Sequence, residues 1–428
     1  MARLPESLDV IRTREFRLLF SGQAVSVLGD RMALVALAFA VLEIGGSASD
    51  VGLVLAAGTF PLVATVLAGG VVADRVSRRA VMVVADLVRI ASQATMAALL
   101  IGGVAEVWML ALLAGVTGAA TGFFSPASTG LLPEIVLAEQ LQPANALRAS
   151  AISTGEILGP VVGGVLVAAA GAGWAIAIDA VTFAVSAACL AMLRVPTRVA
   201  AQRSSFVADL REGWVAFRSR RWVWAFVAYF AIGNFLWGAW SGLGPIVAER
   251  DLGGAAAWGT ILAAVGVGAL AGSLLAAHVK PRRPLLLAAF TDGLFALPLA
   301  FLAAAPPVPL IACGALLAGA GMALASSVWE STLQRHVPGD SLSRVSSYDW
   351  FGSLAFYPLG LAVWGPVAAV IGISVSLWLI FGLAVAVTLA LLSVPDIRHL
   401  PAAAQPVPVD FPPRGPTGPT TGDSKRSG

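Results

Sequence analysis

The run RVPTRVAAQRSSFVADLREGWVAFRSRR, from Arg194 to Arg221, decides how the rest of the chain is read. It carries seven arginines, Arg194, Arg198, Arg203, Arg211, Arg218, Arg220 and Arg221, opposed only by Asp209 and Glu212. On either side lie apolar stretches of about 20 residues each, enough for a helix to cross the hydrocarbon core of a bilayer. A basic break inside a very hydrophobic chain reads as a cytoplasmic loop between two membrane bundles. Counting outward, apolar runs fall at 18–42, 51–73, 81–101, 107–126, 146–168 and 174–193, then at 222–247, 256–277, 285–303, 308–333, 346–368 and 373–393. The expected fold is an all-α membrane protein with twelve transmembrane helices. Residues 1–193 and 222–393 form two six-helix bundles, 194–221 joins them, and 394–428 is a tail.

Composition agrees. The 428 residues are 58% hydrophobic and only 12% charged, with mean hydropathy +0.86, against about 25% charged residues in a soluble domain. The net charge of +3 sits mostly in loops, so a cytoplasmic bias explains it better than nucleic acid does. With the N-terminus inside, the inner loops hold Arg75, Arg78 and Arg79, the Arg194–Arg221 series, Lys280, Arg282 and Arg283, and Arg335 and Arg344. The outer loops hold Glu43, Asp50, Glu106, Glu249, Arg250 and Asp251. We therefore expect a multi-pass protein of the plasma (inner) membrane with both termini cytoplasmic. No early apolar run with a cleavage site stands out, and the first span is expected to stay as the targeting signal.

Several chemistries find no residues to carry them. Cys189 and Cys313 both lie in apolar runs, where no disulfide is expected, and His278, His336 and His399 do not cluster as metal ligands do. No GxxxxGK[ST] loop is present, which disfavours ATP-driven pumping. No nucleophile–base set can be placed, so an enzyme is not expected. We expect no cofactor. The expected partners are lipid and a small-molecule substrate, and a monomer suffices.

Within the central loop Phe206, Leu210, Trp214 and Phe217 recur every three or four residues. They suggest an amphipathic helix, packed on the inner leaflet, on the underside of the bundles, or on both. The tail is rich in proline and is expected to be disordered. The halves also echo each other. Leu112–Gly115 and Leu316–Gly319 both read LLAG, and each opens a span ending in a Ser-Thr pair, Ser128–Thr129 and Ser331–Thr332. Secondary transporters are often built from such repeats, with the substrate where the repeats meet.

Two stretches carry more specific information. Gly69 to Arg79 reads GGVVADRVSRR. Its charges sit at a helix end, as a short basic loop or as a latch between the bundles. Gly155 to Leu166 reads GEILGPVVGGVL. Small residues four apart let two backbones approach, and Pro160 removes a donor and tends to kink the helix. Packing alone leaves open whether this helix seals a pore or is simply packed tightly.

The series Gly70-x-x-x-Asp74-Arg75-x-x-Arg78-Arg79 resembles the loop signature of the major facilitator superfamily. Gly155, Gly159, Pro160, Gly163 and Gly164 resemble the fifth-helix motif of its proton-coupled exporters. Residues 126–149 and 329–360 resemble the branch that includes macrolide efflux proteins and the enterobactin exporter. The resemblance covers about 1–393. It implies two six-helix bundles rocking about a central cavity, and export of a small organic molecule, usually against inward proton flow. Two features depart from the pattern. The fourth span has no arginine, and the loop from Gly272 to Arg283 keeps glycine and basic residues but lacks the acidic one.

Ionisable residues inside spans are costly and point to function. Asp30 and Arg31 lie in the first span, Asp86 and Arg89 in the third, Glu156 in the fifth and Asp292 in the ninth. A proton carrier needs a carboxylate that responds to being sealed from water. Asp30 and Glu156 lead by depth, and Arg31 is placed to tune either or to bind an anionic group. Asp86 and Arg89 share a helix face, which suits a structural pair. Asp179, Glu330 and Asp349 lie nearer span ends, where capping or interfacial pairing is the expected role. Among the aromatics, Tyr229, Phe235, Trp237, Trp329 and Phe356 are candidates to line a cavity for a bulky amphipathic solute, with lipid or core packing as the alternative. The functional expectation is a proton antiporter exporting such a solute by alternating access. A metabolite importer and a non-transporting membrane sensor are the alternatives.

Overall fold

The computed structural model describes residues 10–137, 140–195, 214–215, 217–337 and 339–401, with positions 67, 71, 74, 142, 339–344, 347 and 350 described by backbone alone. Its helices are α1 (Arg14–Glu43), α2 (Ala48–Arg75), α3 (Arg78–Ile101), α4 (Val107–Ile135), α5 (Leu141–Ala170), α6 (Ala172–Ala191), α7 (Arg221–Val247), α8 (Ala255–Ala276), α9 (Pro284–Asp292), α10 (Ala296–Ala304), α11 (Val308–His336), α12 (Gly339–Leu354), α13 (Tyr357–Ile371), α14 (Ile373–Ser393) and α15 (Pro395–His399). Twelve described helical stretches are long and apolar enough to cross a membrane. Large apolar side chains lie on the outer surface, among them Phe60, Leu112, Val370 and Leu389. In water such a surface would aggregate; in lipid it is the correct solvent contact.

Helix ends follow local chemistry. Ser47 caps α2 in a reciprocal box. Its hydroxyl accepts from the Asp50 amide at 3.3 Å, and its own amide donates to Asp50 at 2.7 Å. A single residue, Gly171, separates α5 from α6, and a single residue, Gly372, separates α13 from α14. Their φ values are +89° and +90°, a region open in practice to glycine alone. Each six-span half therefore ends in the same elbow. In the first half Glu43 of α1 also accepts from the Ala172 amide at 3.0 Å, satisfying the start of α6.

Two of the expected spans are broken. The ninth is α9 and α10, joined by a 3-10 turn at Gly293–Phe295. Pro298 has no amide for the Leu294 carbonyl and its ring crowds that oxygen, so the α-helical ladder cannot run through the turn. The eleventh is α12 and α13, parted at Ala355 and Phe356, and the membrane-length stretch there is Phe351–Ile371. The fifth span keeps its proline without breaking. The Glu156 carbonyl, which loses its intrahelical donor to Pro160, lies against Gly266 of α8.

Small residues set the helix crossings. On α1, Gly22 faces Ser186 and Cys189 of α6, and Gly29 faces Asp179 and Thr182. Gly118 of α4 rests on the backbone of Gly58 of α2, and Thr65 donates to the Ala119 carbonyl at 3.1 Å. In the second half α8 and α11 cross the same way, with Gly268, Gly272 and Gly319 at the contact.

The halves meet along two seams. On one, Gly164 and Pro160 of α5 face Ala255 and Gly259 of α8. On the other, Gly52 and Ala48 of α2 face Leu361 and Gly365 of α13. These close approaches run from mid-helix to the end opposite the Arg75–Arg79 turn. At the arginine-rich end the first half has its own apolar core, built on Phe16, Leu19, Met82, Leu131 and Leu132. It is separate from the larger core that runs through both halves. Among the described residues, every glycine contact between the halves lies from mid-helix toward the end opposite the Arg75–Arg79 turn. Of the loop residues, Trp214 and Phe217 stack on each other at 5.7 Å and both pack on Tyr348 of α12. Phe206 and Leu210 lie outside the described residues, as does the tail beyond 401.

Candidate functional site

In the first half, charge converges on one arginine. Arg89 of α3 is 1% exposed. It holds Asp86, one turn earlier, at 2.5 Å, and stands 3.9 Å from Asp30 of α1. Its guanidinium lies over the rings of Phe124 on α4 and Phe183 on α6, at 4.2 and 4.3 Å. The rings let a charge sit deep in the bundle through cation–π attraction. One turn along α3, Gln93 donates to Asp179 of α6 at 2.6 Å, and Thr182 donates to the same carboxylate. Asp86 and Asp179 are fully buried, whereas the Asp30 side chain keeps 40% of its surface and lines two cavities. Asp30 is therefore the acid through which this network meets solvent.

Arg31, the next residue, points elsewhere. Its guanidinium meets Glu156 of α5 at 3.0 Å. The pair spans the α1–α5 crossing, where Gly155 faces Val27 and Gly159 lies against Arg31 itself. Gly163 continues the same face against Met32, while Gly164 turns to the other half. The fifth-helix glycines thus serve two different contacts. Arg31 and Asp30 line a central cavity of about 450 Å³ that also takes Tyr357 and Leu361 from the second half. The Tyr357 hydroxyl donates to Ser241 at 3.0 Å.

The second half holds a cavity of about 480 Å³. Its wall includes Trp329 and Trp237, two of the five aromatic candidates, together with Phe230 and Phe295. The other three lie elsewhere. Tyr229 is buried beside Asp292, with its hydroxyl 3.5 Å from that of Thr388. Phe235 packs on Trp364 at 5.5 Å, and Phe356 is half-exposed at the break between α12 and α13. Three acids also face this cavity: Asp292, Glu330 and Asp349. The last two were expected to cap or pair at span ends. Instead Asp349 accepts from the Trp329 indole at 2.9 Å and from Ser353 at 3.3 Å. Asn234 and Gln334 complete the polar points. The signal that would have found Glu330 is its position next to Trp329 on a span rich in glycine.

The turn between α2 and α3 contacts its own half. Arg78 donates to Glu134 at 3.1 Å and to the Gly130 carbonyl, both on α4. Arg79 donates to the Leu190 carbonyl at 2.8 Å and to that of Ala191, closing the end of α6. Arg75 is exposed, and a methyl at Gly70 would meet nothing within 4 Å. The Asp74 side chain is outside the described set. Among the described residues, no group of His, Cys, Asp and Glu is placed to hold a metal ion.

Comparison with known proteins follows the same lines. The family model described as Major Facilitator Superfamily matches residues 19–353. Multidrug efflux pump Tap of Mycolicibacterium fortuitum is 30% identical over 407 residues, covering 88% of this chain and 95% of the relative. Macrolide efflux protein A of Streptococcus pyogenes is 25% identical over 236 residues, covering 54% of this chain and 58% of the relative. Among solved structures, a peptide transporter POT in complex with sulfate superposes with TM-score 0.74 at 13% identity, covering 94% of this chain and 100% of its own. Nucleoside transporter NupG gives 0.73 at 13%, covering 89% and 99%. Both structures share the fold.

Proposed function

The chain belongs to the major facilitator superfamily, and from that footing we propose that it is a proton-coupled exporter of small amphipathic organic molecules. The observation that carries the reading is the buried Asp30–Arg89–Asp86 cluster, opening through Asp30 onto the central cavity where the halves meet. Buried ionisable groups in a span are costly and are kept where a charge must move or be sensed. The similarity to efflux pumps over most of the chain supports export as the direction.

In this reading the termini and the arginine-rich turns face the cytoplasm, and the conformation is the inward-open one. Solute enters from the arginine-rich end. Asp30 takes up a proton from the opposite side after the halves have rocked. With Asp30 neutral, Arg89 keeps only Asp86, so the pull between α1 and α3 changes with each proton. Arg78 and Arg79 hold the ends of α4 and α6 in this state, and the turn meets the second half when that end closes.

The test is efflux measured as uptake into everted vesicles, with and without an imposed proton gradient. We expect gradient-dependent accumulation of tetraphenylphosphonium or a macrolide. Accumulation at the same rate without the gradient removes proton coupling, and the absence of any flux across a broad solute panel removes export.

A further inference from the structure

We propose that the smaller cavity of the first half is an oxyanion subsite, in which Arg148 of α5 holds a carboxylate, sulfonate or phosphate group. The site is read from its geometry, and its place in transport rests on the export reading. The cavity, of about 240 Å³, is walled by α1, α4 and α5. Arg148 lies within the membrane-length part of α5, about two turns past its start, not in the loop before it. Its guanidinium is half-buried and donates to the Ser128 hydroxyl of α4 at 2.9 Å. Gln23 of α1 donates to the same oxygen at 2.5 Å. Ser128 is buried, and with both acceptor positions filled its own hydrogen is left to be donated. The nearby hydroxyls of Thr121, Ser125 and Thr129 donate back to their own helix and add no negative charge. Among the described residues, no acid lies within ion-pair distance of Arg148. Three helices thus bring donors to one point and leave it short of an acceptor. A carboxylate or phosphate group meets that need, since its oxygens match the guanidinium fork.

Charge balance gives a second, independent part of the argument. Arg89 also lines this cavity, but Asp86 holds it at 2.5 Å. Asp30, the acid among the lining residues, stands 3.9 Å from Arg89. Arg31 is answered by Glu156. With Asp30 ionised, Arg89 and Arg148 are matched in number by two carboxylates, though neither reaches Arg148. With Asp30 neutral, one positive charge is left over, and it is the one on Arg148. An anion in the cavity restores the balance. Gln23 and Asp30 are two turns apart on α1, about 10 Å, so the ends of the cavity are coupled moderately through charge. A neutral Asp30 and a bound oxyanion therefore favour each other. Size narrows the ligand further. The cavity is below the usual range for a drug-sized molecule, but it shares Val27, Asp30, Thr121 and Ile152 with the central cavity of about 450 Å³. It admits a small oxyanion, or the acidic head of a solute whose apolar body stays in the larger space.

Saturation-transfer NMR on the purified full-length protein in dodecyl maltoside, at fixed pH, tests this. Benzoate is the probe, benzamide its uncharged match and inorganic sulfate the displacer. Arg148→Gln removes the charge, Arg148→Lys keeps it, and Asp30→Asn fixes that position as neutral. Arg282→Gln, at an exposed arginine of the other half, is the control. We expect the parent to prefer benzoate over benzamide by about tenfold. Arg148→Gln should lose about tenfold in benzoate affinity, with benzamide changed by less than about twofold. Arg148→Lys should recover part of the loss. Asp30→Asn should bind benzoate about threefold more tightly or better. Arg282→Gln should match the parent. Gel filtration confirms folding of each variant. Displacement of benzoate by sulfate assigns the site to free oxyanions as well. Benzoate bound but not displaced assigns it to the acidic group of an organic solute. Equal binding of benzoate and benzamide, no benzoate binding, or Arg148→Gln within about twofold of the parent overturns the site. Asp30→Asn at or below parental affinity overturns the linkage. Failure here with gradient-driven efflux intact removes the subsite and leaves export. Charge-selective binding without flux of any solute does the reverse.

Discussion

Arg31 of α1 and Glu156 of α5 meet at 3.0 Å across a crossing that Gly159 keeps close. Both side chains keep about 40% of their surface. A pair so accessible contributes little to stability, about 0–1 kcal/mol. Glu156→Gln should therefore be made at parental levels and melt within about 1 kcal/mol of the parent. If the pair helps to set the α1–α5 angle during transport, efflux should still fall. Thermal unfolding in detergent and vesicle flux read the two effects separately, and parental flux would remove Glu156 from the mechanism.

Asp86 and Asp30 share Arg89 unequally, and their variants should differ in kind. Asp86→Asn strips the close partner from a buried guanidinium and should destabilise by about 3–5 kcal/mol, seen as a lower melting temperature and reduced yield. Asp30→Asn removes the more distant and more accessible acid. It should fold, bind solute, and lose gradient-driven efflux. Equal melting temperatures for both variants, or parental flux from Asp30→Asn, would contradict this division.

Glycines offer a matched test of packing against motion. At Gly118 an added methyl runs into the Gly58 carbonyl, so Gly118→Ala should cost about 1–3 kcal/mol. At Gly70 the same methyl meets open space, so Gly70→Ala should be neutral or stabilising by up to about 1 kcal/mol. If the α2–α3 turn engages the second half when the arginine-rich end closes, Gly70→Ala should slow transport without lowering stability. A stable variant with parental flux would leave the turn as a helix-end clamp.

Orientation can be read by labelling in a background without Cys189 and Cys313. Both native cysteines are free, so their removal breaks no disulfide. Asp251→Cys should react with an impermeant maleimide in intact cells. Ser77→Cys should react only after permeabilisation. The opposite pattern would invert the topology and the direction of every step proposed above.

The spans were legible because lipid demands a long apolar helix and leaves a plain mark in sequence. The interruptions at Gly293–Phe295 and at Ala355–Phe356 were not, because hydropathy continues straight through both. Asp30, Arg89 and Glu156 could be picked by depth alone. Helical spacing also gave Asp86 as a partner for Arg89, and Arg31 stood as one of two fits for Glu156; the contact of Arg89 with Asp30 could not be read, since it joins residues two helices apart. Depth also misled. Glu330 and Asp349 lie near span ends, yet the face of the helix, not the distance to its end, put them on the cavity wall. Phe356 failed for the converse reason: it falls in a break, where no helical face directs it inward.

The apolar island around Phe16, Leu19 and Leu131 shares no member with the core that joins the two halves. In the proposed alternating access, a swing of the halves would carry this island as a solid block. Resistance to the proposed swing would arise at the seams between the halves, where close backbone contacts at Gly52, Gly164, Gly259 and Gly365 lie beside apolar side chains such as Leu361. On that mechanism the first-half block keeps its own packing, and any change of shape is left to the shared core between the halves.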